Sequence, residues 1–170
     1  IEAATEKLTI KEKIFDELFQ LFPKDTVLAT NTSSISIEKI GSRLGDTGDR
    51  VVGMHFFNPV PVMKLCEIIK SKRTSEKTLE KTQLLAKQMG KTPVLANDFP
   101  GFVSNRVLMP MINEAFHAWD QGVSGPAEID EIMKLGCAFP MGPLRLADLI
   151  GLDVCRDIMV VLHEGLGHPD

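Results

Sequence analysis

Hydrophobic and polar positions divide the chain into two regions of different periodicity. Between Lys7 and Phe22, Leu8, Ile10, Ile14, Phe15, Leu18 and Phe19 fall near helical spacing, with Lys and Glu between them and Pro23 closing the run. The pattern predicts an amphipathic helix. The short apolar run Thr26 to Thr30 meets the polar string Asn31, Thr32, Ser33 and Ser34, after which Ile35, Ile37 and Ile40 resume a helical pattern. Arg50 to Phe57 and Val62 to Lys70 are two apolar runs separated by the Pro-Val-Pro break at Pro59 to Pro61, and they read as two strands. Ser75 opens a Glu/Lys/Leu-rich stretch to Met89 that reads as an N-capped helix ending at Gly90, followed by a strand from Pro93 to Ala96. Strands alternating with helices predict an α/β domain with a largely parallel sheet.

After Asp98-Phe99-Pro100-Gly101 the pattern becomes wholly helical. Phe102 to Trp119, Ala127 to Leu135 and Leu144 to Leu162 each carry a helical period with no strand between them, and Pro110 should kink the first. The boundary is therefore placed near Asn97 to Gly101, giving domains over 1–98 and 99–170. No internal repeat or low-complexity segment interrupts this order.

Composition narrows the class. With 170 residues, 44% of them hydrophobic, the chain can bury a core, and a net charge of -4 with no Lys/Arg cluster argues against a nucleic-acid partner. No apolar run approaches the roughly 18 to 20 residues of a membrane span, and no signal peptide opens the chain. A soluble protein is expected, with no membrane partner. Cys66, Cys137 and Cys155 are odd in number and set among apolar residues, which suits buried free thiols better than disulfides or a metal site. The IEAA opening without Met and the turn-like GLGHPD close suggest a segment cut from a longer protein.

His55 lies at the end of a predicted strand in Gly53-Met54-His55-Phe56-Phe57-Asn58-Pro59, where ligand sites collect in α/β sheets. Glu67 lies in the next apolar run, and the proline-rich turn can fold that run back beside the first. A carboxylate against an imidazole fixes the ring's tautomer and favours the imidazolium, which makes a general base. The plainer alternative, a satisfied core histidine and an edge-strand charge, weighs slightly more on spacing alone. The Thr30 to Ser34 run can bind a ligand's polar atoms, but a helix cap explains it better locally. Asn105 falls early in a helix at the domain boundary, where its amide can donate to a carbonyl or serve as a simple helix-start residue. No G-x-G-x-x-G fingerprint occurs in these residues, so the motifs alone name no cofactor.

The strings IEAATEKLTIKEKIF, LATNTSSISI, VVGMHFFNPVPVMKLCEII, DFPGFVSNR and MKLGCAFPMGPLRLADLIGLD, in this order, resemble the 3-hydroxyacyl-CoA dehydrogenase family, nearest to its monofunctional 3-hydroxybutyryl-CoA type. HFFNPVPVMKL is the most specific of the motifs. The resemblance implies the C-terminal part of a Rossmann-like NAD-binding domain, lacking its first βαβ unit, followed by part of an all-helical domain that supplies substrate-cleft and dimer contacts. It implies NAD as cofactor, an acyl-CoA substrate, homodimers through the helical domain, a role in fatty acid β-oxidation, and a cytoplasmic or organelle-matrix location. Matched by motif, His55 is the catalytic base, Glu67 its paired carboxylate, and Ser33 and Asn105 the polar residues near the substrate's 3-oxygen. Glu6, Lys11 and Asn58 line the nicotinamide side, with Ser33 in the same neighbourhood. The implied reaction is NAD-dependent oxidation of an (S)-3-hydroxyacyl-CoA to the 3-oxoacyl-CoA, or its reverse, with little activity expected from these 170 residues alone. The competing readings are a non-catalytic assembly or binding module, and a relative acting on another 3-hydroxy acid.

Overall fold

The structure, a computed structural model, describes residues 1–167; the end of the turn-like close, residues 168–170, lies outside the described residues. The chain divides into two compact units, Ile1–Phe102 and Val103–Asp170. In the first, helix α1 (Leu8–Leu21) precedes β1 (Leu28–Thr30), α2 (Ile37–Ser42), β2 (Val51–Phe56), β3 (Leu65–Lys70), α3 (Glu76–Gln88) and β4 (Thr92–Asn97). The sheet order is β1-β2-β3-β4, with β1 parallel to β2 and β3 parallel to β4. Each parallel pair is joined through a helix, α2 or α3, because strands running the same way need a long crossover. β2 and β3 are antiparallel, so their connection can be the short proline-rich turn. Glu2 adds an isolated parallel bridge beside Thr30.

The first three strands are almost wholly buried on both faces, as expected of a sheet covered by helices. Period-two alternation sends Val51 and Ile69 to one face, with Phe15, Leu28, Ile37, Ile40 and Phe102, and sends Val52, Met54, Cys66 and Ile68 to the other, with Leu79 and Ala86. Gly53 belongs to the first face because nothing larger fits: an added Cβ would stand 2.7 Å from Cβ of Ile69 and 3.1 Å from Cδ1 of Ile37. β4 is the exposed edge strand.

Local chemistry sets the helix ends. Ser75 caps α3 by accepting from the Thr78 amide at 3.3 Å. Arg50 donates to the carbonyls of Phe19, Phe22 and Pro23, closing the C-terminal end of α1. The segment between α2 and β2 forms a 3-10 helix over Gly45–Arg50.

The second unit contains α4 (Ser104–Asp120), α5 (Pro126–Cys137), α6 (Pro143–Ile150) and α7 (Leu152–Leu166). Helix α4 runs through Pro110, whose side is exposed. The helical period from Leu144 to Leu162 is two helices rather than one, because Gly151, at φ 102°, takes a backbone conformation no helix contains. Met109, Ile112, Ala147, Cys155, Ile158 and Leu162 form the unit's main core. The Asp130 carboxylate accepts from the Leu144 and Arg145 amides at 2.8 and 2.9 Å and so caps α6. All three cysteines are free, and Cys66 and Cys155 are buried. Cys137, expected to be buried, is exposed, because it is the last residue of α5, where Ala138 turns into the left-handed region.

Candidate active site

β2 and β3 put His55 and Glu67 in register as direct cross-strand partners. Side chains directly opposite on an antiparallel pair share a face. Nδ1 of His55 stands 3.1 Å from Oε2 of Glu67, and both residues are buried. A carboxylate can only accept, so the neutral ring donates through Nδ1–H, which leaves the Nε2 lone pair as the basic atom. The proline-rich turn that brings the strands together is fastened from β4's side. Val62 and Met63 amides donate to the Pro59 carbonyl, and the Lys91 ammonium donates to the carbonyls of Val60 and Met63.

A second cluster gathers at the C-terminal end of β1. The Glu6 carboxylate accepts from Thr32 Oγ1 at 2.6 Å, from the Ser33 and Ser34 amides at 2.8 and 2.9 Å, and from both serine hydroxyls. Burial pushes the Glu6 carboxyl up, but the Thr32 hydroxyl and these amides together outweigh it and hold the group below the usual carboxylate range. Thr32, Ser33 and Ser34 thus form a loop wound around one oxygen of Glu6. Its helix-capping role falls elsewhere: Ser36 caps α2, accepting from the Lys39 amide. Asn31 turns the other way, its Oδ1 accepting from the Phe56 amide at 3.0 Å and tying this loop to the end of β2.

Lys11 is buried, and its ammonium donates to the two Glu2 oxygens at 2.9 and 2.7 Å while standing 4.0 Å from Glu6. Glu2 also accepts from Thr30 Oγ1 and the Ala4 amide. Burial raises the Glu2 carboxyl, yet the Lys11 and Thr30 bonds carry it below its ordinary value. Asn58 is exposed, two residues beyond β2. Asn105 is buried in the first turn of α4, in the second unit.

Sequence reasoning did not single out Glu2, Phe57 or Phe102. Glu2 had a signal: Lys11 lies three and seven residues from Leu8 and Leu18, on the inward stripe of α1, and a cation there needs a buried partner. Phe57 and Phe102 had none, because nothing in an aromatic's spacing says which polar group it faces. Among the described residues, no group of three or more His, Cys, Asp or Glu could hold a metal ion, and no helix is long and apolar enough to cross a membrane.

A parallel-dominated α/β unit with polar side chains gathered at its strand ends, followed by a helical unit, is the architecture of a nucleotide-using two-domain protein. The comparisons sharpen that class. The family described as "3-hydroxyacyl-CoA dehydrogenase, NAD binding domain" matches residues 1–99, and "3-hydroxyacyl-CoA dehydrogenase, C-terminal domain" matches residues 101–170. The chain belongs to the 3-hydroxyacyl-CoA dehydrogenase family. It is 56% identical, over 98% of its length, to the probable 3-hydroxybutyryl-CoA dehydrogenase of Bacillus subtilis, and covers 58% of that relative. Identity to the human mitochondrial hydroxyacyl-coenzyme A dehydrogenase is 43% over 96% of the chain, which covers 52% of that protein. The crystal structure of (S)-3-hydroxybutyryl-CoA dehydrogenase PaaH1 from Ralstonia eutropha superposes with a TM-score of 0.95 at 49% identity, covering 99% of this chain and 59% of that one. The chain thus spans between half and three-fifths of the length of these relatives.

Proposed function

We propose that this chain carries the proton-transfer half of an NAD-dependent (S)-3-hydroxyacyl-CoA dehydrogenase, with His55 as the base and Glu67 as the carboxylate that orients it. The observation that carries the reading is the 3.1 Å contact between His55 Nδ1 and Glu67 Oε2 on adjacent strands. In the oxidising direction, the substrate's 3-hydroxyl proton moves to Nε2 of His55. The electron pair of the C3–H bond leaves as hydride, and the C3–O bond becomes a carbonyl. Glu67 stabilises the resulting imidazolium through the bond at Nδ1, and in reverse the same imidazolium is the acid. Ser33 and Asn105 are the groups assigned to the substrate's 3-oxygen, and the helical unit to substrate-cleft and dimer contacts.

The residues at the ends of β1 and β2 fit the nicotinamide end of the cofactor: an anionic carboxylate at Glu6, the Ser33 hydroxyl, and the exposed Asn58 amide. NAD, when bound, accepts the hydride. Lys11, buried against Glu2, acts on that side through Glu6, whose carboxylate its charge helps hold in place.

The test is a chimera in which this chain replaces the matching segment of the Bacillus subtilis relative, assayed for oxidation of (S)-3-hydroxybutyryl-CoA. His55→Ala should lower kcat by roughly 100- to 10,000-fold, the usual worth of a general base, while leaving the KM for NAD nearly unchanged. An active chimera whose His55→Ala variant keeps near-normal turnover would place the base elsewhere. Loss of all activity in the unmutated chimera would favour the reading of this segment as an assembly or binding module.

A further inference from the structure

His55 is held by more than its carboxylate. The Phe57 ring lies 4.6 Å from the imidazole, centroid to centroid and tilted by 41°, and the Phe102 ring lies 6.1 Å away, tilted by 59°. Phe57 lies one residue beyond β2, two residues along the chain. Phe102 arrives from a turn more than forty residues away, and its backbone is unusual. At φ 52° it is one of two non-glycine residues in the left-handed region among the described residues, and it follows Gly101, itself at φ 71°. The Phe102 amide donates to the Phe99 carbonyl at 2.8 Å, closing the turn. A bulky L-residue adopts this conformation at a cost, and it persists only where the surroundings over-determine it.

Here they do. The Phe102 side chain is buried, 2% exposed, in the core formed by Phe15, Leu28, Ile37, Ile40, Val51 and Ile69. That core lies on the sheet face to which period-two alternation sends His55 and Glu67. The left-handed turn swings the ring back onto this face rather than away along the chain. A single hydrogen bond at Nδ1 leaves an imidazole free to tilt about that bond. Aromatic rings packed against it remove that freedom and keep water from competing for Nδ1–H.

We propose that Phe102 is a positioning residue for His55. Its strained turn sets the ring that, with Phe57, holds the imidazole in the plane and tautomer that point Nε2 outward as the basic atom. The inference rests on the reading of His55 as the base, but its test reads the ring directly.

The protein would be labelled with ¹⁵N in its histidine rings, and the Nδ1 and Nε2 signals of His55 followed in mildly alkaline solution. Phe102→Leu fills most of the same core volume without an aromatic face, and Phe15→Leu removes a ring from the same core without touching His55. The wild-type signals should report a proton fixed on Nδ1. In Phe102→Leu the two nitrogen signals should move toward each other as the tautomers mix, whereas in Phe15→Leu they should stay put even where the unfolding midpoint falls as far. In the chimera described above, Phe102→Leu should lower kcat on the order of 10- to 100-fold, the scale of a misplaced reacting group, with the KM for NAD unchanged. Should leucine leave the chain unfolded, Phe102→Met is the second variant, since its flexible side chain accommodates irregular cores. Unchanged His55 signals in a folded Phe102 variant, or equal shifts in the Phe15 variant, would make Phe102 a core residue only. That failure is separable from failure of the base assignment, which His55→Ala turnover alone decides.

Discussion

Replacing Lys11 by methionine should be among the most destabilising single changes in the first unit. The ammonium is 1% exposed and its partner carboxylate 3%, with Nζ 2.7 Å from Oε2 of Glu2. Coulomb's law at an effective dielectric near 20 gives about 4 kcal/mol for unit charges about 4 Å apart, and more at this separation. Desolvation of the two ions offsets much of that, so the intact pair adds little net stability. Removing one member is different. Methionine keeps the volume, but the Glu2 carboxylate then stays buried with only the Thr30 hydroxyl and the Ala4 amide to satisfy it. Breaking such a pair typically costs about 3–5 kcal/mol, a large share of the roughly 5–15 kcal/mol that holds an ordinary protein folded. The double variant Glu2→Gln with Lys11→Met, which removes both charges, should recover a substantial part of the loss. Urea unfolding followed by far-UV circular dichroism, with hydrogen exchange at the β1 amides, measures both; Trp119, the only tryptophan, lies in the second unit and is not the probe. A Lys11→Met protein within about 1 kcal/mol of wild type, or a double variant no better than the single, would show that Glu2 is not held as a buried anion.

Acid titration of stability should show the same carboxylates from another side. The Glu2 and Glu6 carboxyls lie below their ordinary value of 4.5 in the folded chain, so their contribution is full above that pH and is lost as pH falls through the lower folded values; a urea midpoint that rises on acidification would contradict this. Thiol reactivity should be graded: burial pushes the Cys66 thiol up to about 11, so near neutral pH an aromatic disulfide reagent should modify exposed Cys137 first, and fast loss of two or more thiols in the folded protein would refute the order. Isothermal titration of the 170-residue chain with NAD should show weak binding, because no glycine turn of the G-x-G-x-x-G kind is present to cradle the pyrophosphate; micromolar affinity would show that Glu6, Ser33 and Asn58 suffice.

Much of the fold was legible because its signals are short-range. The helix over Leu8–Leu21 follows from apolar spacing and the proline after it, and the α3 boundaries from Ser75 and Gly90. The antiparallel return of β3 against β2 followed from a proline-rich turn too short for a crossover. Errors arose where one residue overrides a period. Gly151 splits what apolar spacing alone makes a single helix, since a window of hydrophobic positions does not register the backbone angle of its one glycine. The 3-10 turn over Gly45–Arg50 carries no apolar repeat, and Arg50 is drawn inward by the carbonyls of α1, a partner distant in sequence.

Of the candidate site, the His55–Glu67 pairing was legible in the sequence and its aromatic neighbours were silent. His55 and Glu67 could be paired because strand period and turn length fix which side chains share a face, and a buried carboxylate demands a partner. The same rule, applied to Lys11 on the inward stripe of α1, demanded an anion, and the two glutamates upstream were the nearest supply; which of them it took depended on Glu2 adding a bridge to β1, a long-range pairing no local pattern encodes. Hydrogen-bonding needs are specific enough to be read backward from a sequence. Dispersion contacts are not, since any of nine phenylalanines could have faced His55, and the left-handed turn at Gly101 and Phe102 selects one distant in sequence. The backbone angle, rather than the side-chain type, is therefore the observation that turns Phe102 from core filler into a residue with a testable bearing on the imidazole.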